Sequence, residues 1–194
     1  MNAPGGLLIY HAPRLRFGKQ RRLDPASMNA GLTGFLEWLW AAMPTLLLIV
    51  LAAALLACCW WDLKTRTIPN WLNLAIALGA IPFWISTGLA VWPDMAMQIG
   101  IAFVAFWVFA AAFAMGAMGG GDVKLIAALA LWLPWKAVLV LVFLMSVAGG
   151  VLTLGYLIRH RLSKREDKLE IPYGVAIAFG GLWLISERFL NQFG

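Results

Sequence analysis

Long apolar runs separated by short polar breaks dominate the chain after residue 43. The first three runs are Pro44–Trp61, Trp71–Trp92 and Met95–Met118. A helix needs roughly 20 apolar residues to cross the hydrocarbon core of a bilayer, with a range of about 17–25. Each run reaches that length and therefore predicts a membrane-spanning helix, with a short turn at Pro93 and Asp94 between the second and the third.

The next apolar stretch, Val123–Ile158, is too short for two full crossings, because each of them needs roughly 20 residues. Pro134 and Lys136 mark a turn within it. The pattern therefore predicts a stunted fourth helix, Val123–Leu133, followed by a full fifth helix, Ala137–Ile158. A single kinked span over the whole stretch is the alternative.

A sixth apolar run, Ile171–Ile185, follows a charged loop at 159–168. Gly174, Ala178 and Gly181 fall on one face of this run, and such small residues suit close contact between membrane helices. The predicted fold is therefore all-α, a polytopic membrane bundle of about six transmembrane helices with a short fourth helix.

Composition supports this class. The chain is 62% hydrophobic and only 12% charged, whereas soluble domains are about 25% charged. Its formal net charge of +6 comes from short basic clusters. In a membrane protein such clusters act as orientation signals, so no nucleic-acid partner is expected and the bilayer itself is the predicted partner.

The first part of the chain differs from the rest. Residues 1–35 lack a long apolar run and combine glycines and prolines with a group of basic residues: Arg14, Arg16, Lys19, Arg21 and Arg22. This predicts a basic, disordered tail at 1–35 ahead of a membrane domain at 36–194. Met28 offers an alternative start, so residues 1–27 need not belong to the mature protein.

The cysteines point to packing. Cys58 and Cys59 are adjacent at the end of the first apolar run. Neighbouring cysteines rarely pair with each other, and one such pair does not form a zinc site. We therefore expect no metal and no cofactor.

Two acidic residues stand out because each adjoins an apolar run: Asp62 follows the first, and Asp122 precedes the fourth. Ionisable groups at membrane depth are costly and indicate a functional site. The chain crosses the membrane twice between them, so both return to one side. Basic residues accumulate on that side, which the positive-inside rule makes cytoplasmic.

Two carboxylates at one place can share a proton and activate water, which predicts an aspartyl peptidase within the membrane. Several alternatives remain open. Taken singly, Asp62 is also explained as an interfacial charge and Asp122 as a helix cap. At the level of function, a small proton-coupled transporter or channel could use the same two aspartates.

The surroundings of both aspartates suggest further roles. Glycines at 119–121 would let backbone approach Asp122 closely. Lys64, Arg66 and Lys124 could steady the ionised pair, or serve as interfacial anchors. Pro69 cannot continue a preceding helix, and Asn70 after it is predicted to cap the second one.

At these residues the chain resembles the type IV prepilin peptidases, a family of bacterial inner-membrane aspartyl proteases. The resemblance rests on Asp62 with Arg66-Thr-Ile-Pro-Asn70, on Gly119-Gly-Gly-Asp-Val-Lys-Leu125, and on Ile171-Pro-Tyr-Gly-Val-Ala-Ile-Ala178 with the glycines at 180 and 181. It covers roughly residues 45–185. The glycine–aspartate element alone is also similar to that of presenilin-type proteases.

This resemblance implies that Asp62 and Asp122 form the catalytic pair. It implies that further residues bind substrate or shape the site: Gly119, Gly120, Gly121, Lys124, Arg66, Pro69, Asn70, Pro172 and Gly174. The implied substrates are prepilins or pseudopilins with a short basic leader, cut at the cytoplasmic face of the inner membrane just before an apolar helix. The compact form is similar to peptidases of Tad-type pili, so Flp-type pilins are the expected substrates and no methyl transfer is expected.

Overall fold

The computed structural model describes residues 25–163 and 172–193, and helices are the regular structure found in those two ranges. Six α-helices follow one another: α1 (Pro25–Thr65), α2 (Asn70–Ser86), α3 (Ala96–Ala114), α4 (Gly120–Ala130), α5 (Trp135–Ser163) and α6 (Tyr173–Phe193). A π-type turn, Val91–Met95, leads into α3. The prediction of an all-α chain with six helices and a short fourth helix is confirmed.

Several helix ends differ from their predicted positions. Helix α2 stops at Ser86 instead of continuing to Trp92. Beyond it Thr87 donates its hydroxyl to the Phe83 carbonyl, and Gly88 adopts a left-handed φ of 70°. Glycine takes this conformation without the penalty that a Cβ atom brings, so the chain turns here although the apolar run continues.

The remaining differences lie at the charged loop and the amino-terminal tail. Helix α5 runs through residues 159–163, which we predicted as loop, while 164–171 lie outside the described residues. Helix α1 begins at Pro25, so residues 25–35 of the predicted tail are helical. Residues 1–24 lie outside the described residues, and the disorder of the tail stays a prediction. The described part of the chain divides into two units, with the boundary between Glu37 and Trp38.

Among the helices of residues 25–163 and 172–193, three are long and apolar enough to cross a membrane: Gly31–Thr65, Val91–Ala114 and Trp135–Ile158. Asn70–Ser86 is a shorter apolar helix. Large apolar side chains such as Phe103, at 63% exposure, cover the outside of the described helices. A helix that is apolar all round suits lipid rather than water, and this is a membrane protein. The count of six crossings stays a prediction.

Helix α4 is short but lies at the centre of the packing. Leu125, Ile126 and Leu129 of α4 are almost fully buried. The small face predicted on α6 contacts the same centre, since a Cβ atom added at Gly181 would lie 2.8 Å from Leu55 Cδ1 and 3.4 Å from Leu129 Cδ1. Small residues allow this approach, and van der Waals packing then stabilises the bundle.

Two tryptophans join α2 to the carboxyl-terminal end of α4. Trp84 donates its indole N–H to the Leu131 carbonyl at 2.8 Å, and Trp132 donates to the Ile76 carbonyl at 2.9 Å. The carbonyl of Leu131 lies just beyond α4, where helical carbonyls lack intrahelical donors. These bonds fix the register of α2 against α4. They thereby also fix how the amino-terminal ends of the two helices, including Asp122, lie relative to each other along the helix axes.

Candidate active site

The structure brings Asp62 and Asp122 together. Asp62 lies in the last turn of α1 and is 4% exposed, while Asp122 lies in the first turn of α4 and is 8% exposed. The two carboxylates are close enough to interact electrostatically. Buried charges normally have a partner of opposite sign or a metal, so two buried carboxylates beside each other are an arrangement typical of functional sites.

Ile68, in the loop between α1 and α2, packs beside both aspartates. A Cβ atom added at Gly121, next to Asp122, would lie 3.3 Å from Ile68 Cβ. One added at Gly174, beside Asp62, would lie 2.9 Å from Ile68 Cδ1. Ile68 is only 6% exposed. The sequence reasoning missed it, although an isoleucine within a polar loop was the available signal.

Gly174 approaches Asp62 closely from the first turn of α6. A Cβ atom at this position would stand 2.8 Å from Asp62 Oδ2 and 2.9 Å from its Cγ. The buried Pro172 immediately precedes the helix. Backbone N–H groups of the first turn face this carboxylate, yet Asp62 Oδ2 itself makes no hydrogen bond to the described residues. This oxygen is therefore a buried acceptor without a donor among the described residues.

The glycine run ahead of Asp122 shapes the site from within. A Cβ atom at Gly119 would lie 2.9 Å from Asp122 Oδ2, and Gly120 packs on the Phe113 ring at 3.4 Å. The Gly121 carbonyl accepts a hydrogen bond from Asn73 Nδ2 at 3.1 Å. Gly119 and Gly121 thus face the protein's own atoms, so their first role is to let these elements pack closely.

The prediction that Asn70 caps α2 is wrong. Pro69 occupies the cap position with φ −60° and ψ 136°, and no side chain caps the helix. Asn70 is the first helical residue, and its Oδ1 accepts a hydrogen bond of 2.7 Å from Lys124 Nζ. Lys124 and Asn70 therefore join the amino-terminal ends of α4 and α2 near Asp122.

Arg66, the first residue after α1, has a strained backbone conformation. Its φ is 56°, in the left-handed region, and its N–H donates to the Asp62 carbonyl at 3.0 Å. Its Nη2 donates to the Tyr156 hydroxyl at 3.3 Å, while its Nη1 is buried without a partner among the described residues. Arg66 also interacts electrostatically with Asp62. The sequence did not predict the contact with Tyr156, because no pattern in it indicates that α5 packs against the loop between α1 and α2.

Within the described part of the chain, no group of three or more histidine, cysteine or acidic side chains could hold a metal ion. Cys58 is buried and Cys59 half-buried, and both are free thiols. The groups that the described residues do place at this site are two carboxyl groups at the ends of two helices.

The fold is a helical membrane bundle, and its site contains two buried aspartates. The family model of the type IV leader peptidase family matches residues 49–154. The chain belongs to this family. The matched range contains both Asp62 and Asp122 and ends before Gly174.

Several curated relatives carry the name prepilin leader peptidase/N-methyltransferase. The relative from Aeromonas hydrophila is 30% identical over 143 residues, which are 68% of this chain and 48% of that protein. The relative from Pectobacterium carotovorum subsp. carotovorum is 32% identical over 127 residues, covering 63% and 44%. The chain thus spans about half the length of these relatives. No solved structure is significantly similar to it.

Proposed function

We propose that this protein is an aspartyl endopeptidase of the membrane that removes the leader peptide from type IV prepilins or pseudopilins. The observation that carries the proposal is that Asp62 and Asp122 are both buried and lie close enough to interact electrostatically. The two residues come from distant parts of the chain, and both lie buried inside the range matched by the leader peptidase model.

In the proposed reaction the pair shares one proton and acts as acid and base together. One carboxylate takes a proton from a water molecule, and the resulting hydroxide attacks the carbonyl carbon of the scissile bond. The other carboxyl group protonates the carbonyl oxygen. When the tetrahedral intermediate collapses, the carbon–nitrogen bond breaks and the leaving amine takes up a proton. Two carboxyl groups and one water molecule complete this scheme.

The residues around the pair have supporting roles in the proposal. Asp62 Oδ2 lacks a hydrogen-bond partner among the described residues, so it is available to the reacting groups. The buried Nη1 of Arg66 is likewise a free donor, which can hold a carbonyl of the substrate. Gly174 and Gly119 leave the space in which both carboxylates fit. Pro172 and Pro69 begin the helices that frame them.

We further propose that the site faces the cytoplasm at the inner membrane. The basic residues Lys64, Arg66 and Lys124 lie next to the two aspartates in the chain, and cytoplasmic segments carry an excess of such residues. For the substrate we propose an Flp-type pilin, on the resemblance of the compact chain to Tad-type peptidases.

The test is co-expression with a set of type IV and Flp-type prepilins that retain their leaders. The wild-type protein is expected to cleave at least one of these prepilins, which then migrates as a shorter product on a gel. Mass spectrometry of the product locates the cut and shows whether a methyl group is present. Asp62→Asn and Asp122→Asn should each abolish cleavage, because each removes one member of an acid–base pair.

Asp94→Asn is the matched control, since Asp94 is an exposed aspartate in the Val91–Met95 turn, at the other end of α2 from the pair. It should leave cleavage unchanged. Processing that persists in both pair variants would refute the peptidase. A proton flux that both pair variants abolish, without any cleavage by the wild type, would identify a transporter instead.

A further inference from the structure

A groove opens between α2, α3 and α4 on the side of the bundle that carries Lys124. Its volume is about 460 Å³, within the usual range of ligand sites. Its apolar part is lined by small side chains, namely Ala77, Ala102, Ala127 and Ala128. Leu74 and Phe106 form its rims and are 58% and 36% exposed. We call this cavity the α2–α4 groove.

One end of the groove is polar and adjoins the carboxylate pair. Asn70, Asn73 and Lys124 line this end. The side-chain amide of Asn73 donates to the carbonyl of Gly121, the residue before Asp122. From this end the apolar lining continues on α2 to Ala77 and on α4 to Leu131. From Asn70 to Ala77 and from Lys124 to Leu131 the chain advances by seven residues, so the groove runs about 10 Å away from the pair.

Asn73 indicates what the groove receives. It is only 4% exposed, and its Oδ1 makes no hydrogen bond to any described residue. A buried acceptor without a donor costs about 1–3 kcal/mol, so this position favours a ligand with N–H groups. The first turn of an α-helix has such groups, because its N–H donors lack intrahelical partners.

The alanine lining fits the same kind of ligand. Helices in membranes associate where small residues let backbones approach, since lipid gives no hydrophobic drive for burying large side chains. A lipid chain would fill the apolar part, but it offers no N–H donor to Asn73. The chemistry of both ends of the groove together therefore favours an apolar helix with its amino terminus at Asn73.

We propose that the α2–α4 groove holds the apolar helix of the substrate, with the amino-terminal end of that helix at Asn73. The peptide bonds that precede the helix then lie beside Gly121 and Asp122, where the carboxylate pair can reach them. The inference rests on the proposed function and adds to it the place where the uncut part of the substrate binds.

Photo-crosslinking from the rim tests the contact directly. A benzophenone amino acid replaces Leu74 in the Asp122→Asn variant. This variant is co-expressed with a prepilin that the wild-type protein has been shown to cleave. Val151, which is 67% exposed on α5, is the matched control position. A crosslink to the prepilin helix from position 74 and none from 151 is the expected result. A crosslink from 151 alone, or lipid adducts alone at 74, overturns the proposal.

Filling the groove tests its contribution to catalysis. Ala127→Phe places a ring in the lining, and Ala53→Phe places the same ring on an exposed face of α1. For the purified protein, Ala127→Phe should raise the KM for the prepilin by about tenfold and leave kcat within about threefold, because it removes substrate binding and spares the pair. Ala53→Phe should change neither constant.

The outcomes separate this inference from the proposed function. If the wild-type protein cleaves no prepilin, the proposed function fails, and the groove proposal fails with it. If cleavage occurs but the Leu74 position does not crosslink the substrate, only the groove proposal fails. The groove proposal alone also fails if Ala127→Phe and the wild-type protein have the same KM and the same thermal unfolding midpoint.

Discussion

At the scale of single residues, the site depends on the absence of two side-chain atoms. Gly174 and Gly119 each stand where a Cβ atom would come within 3 Å of an aspartate oxygen, 2.8 Å for Asp62 and 2.9 Å for Asp122. Contacts this short do not occur between real atoms of these types, so one partner has to move. In both cases the nearest atom that can move is the carboxylate itself.

Gly174→Ala is therefore expected to reduce prepilin cleavage by about tenfold or more, because it displaces the Asp62 carboxylate from its position beside Asp122. The control is Gly100→Ala on α3, where an added Cβ meets nothing within 4 Å. That variant should keep full activity and gain about 0.5–1 kcal/mol of stability from the lower flexibility of the unfolded chain. Cleavage rates and thermal unfolding in detergent measure both, and equal activity of the two variants would contradict the argument.

Arg66 is the other residue at which backbone conformation matters. Its φ of 56° costs a residue with a Cβ atom about 1–2 kcal/mol. Arg66→Gly and Arg66→Ala both remove the hydrogen bond to Tyr156, but only glycine relieves the strain. The glycine variant should thus be more stable than the alanine variant by about 1 kcal/mol, as measured by thermal unfolding. An alanine variant of equal stability would show that the strain is absent.

At the scale of elements, α4 positions the site because it is held by α2 at both ends. Asn73 and Asn70 bond to its first turn, and the two indole N–H groups join it at the far end. The two tryptophan bonds differ in kind. The Leu131 carbonyl lies past the helix end, whereas the Ile76 carbonyl lies within α2 and is part of its helical hydrogen bonding.

Each of the variants Trp84→Phe and Trp132→Phe loses one indole hydrogen bond. Trp84→Phe should destabilise the protein more than Trp132→Phe. The first variant leaves a carbonyl without a donor, which costs about 1–3 kcal/mol, while the second loses a bond with a net value of about 0.5–1.5 kcal/mol. Thermal unfolding of both variants in one detergent gives the comparison. The reverse order would mean that ring packing outweighs the hydrogen bonds, since Trp132 also stacks on Phe83 with ring centroids 5.0 Å apart.

At the scale of the whole molecule, the two ends of the bundle carry different chemistry. The carboxylate pair, Lys124 and the loop of Arg66 gather at one end, and the Val91–Met95 turn lies at the other end of α2. Exposed tryptophans such as Trp71, at 60%, and Trp135, at 51%, occur toward both ends. Tryptophan favours the membrane–water interface, so these residues agree with a bundle that crosses the bilayer.

The orientation can be measured with single cysteines. Thr67→Cys lies in the exposed loop beside the pair, and Asp94→Cys lies in the turn at the opposite end. A membrane-impermeant thiol reagent added outside intact cells should label position 94 and not position 67. The parent chain, which carries Cys58 and Cys59, gives the background labelling. The opposite pattern would place the site outside the cytoplasm and contradict the positive-inside argument.

The sequence alone predicted the helical membrane class, the six helices and the short fourth helix. It also placed Asp62 and Asp122 at helix ends on one side of the bundle, and their catalytic pairing stays a proposal. These follow from the lengths of apolar runs and the parity of crossings, which are local or additive properties. It did not predict Ile68, Tyr156 or the free oxygen of Asn73, nor that Pro69 and not Asn70 occupies the cap position of α2. The contacts of Tyr156 and Asn73 join segments about 50–90 residues apart, and such contacts exist only once packing has set the height and rotation of each helix. The cap of α2 is set by the local backbone at Pro69.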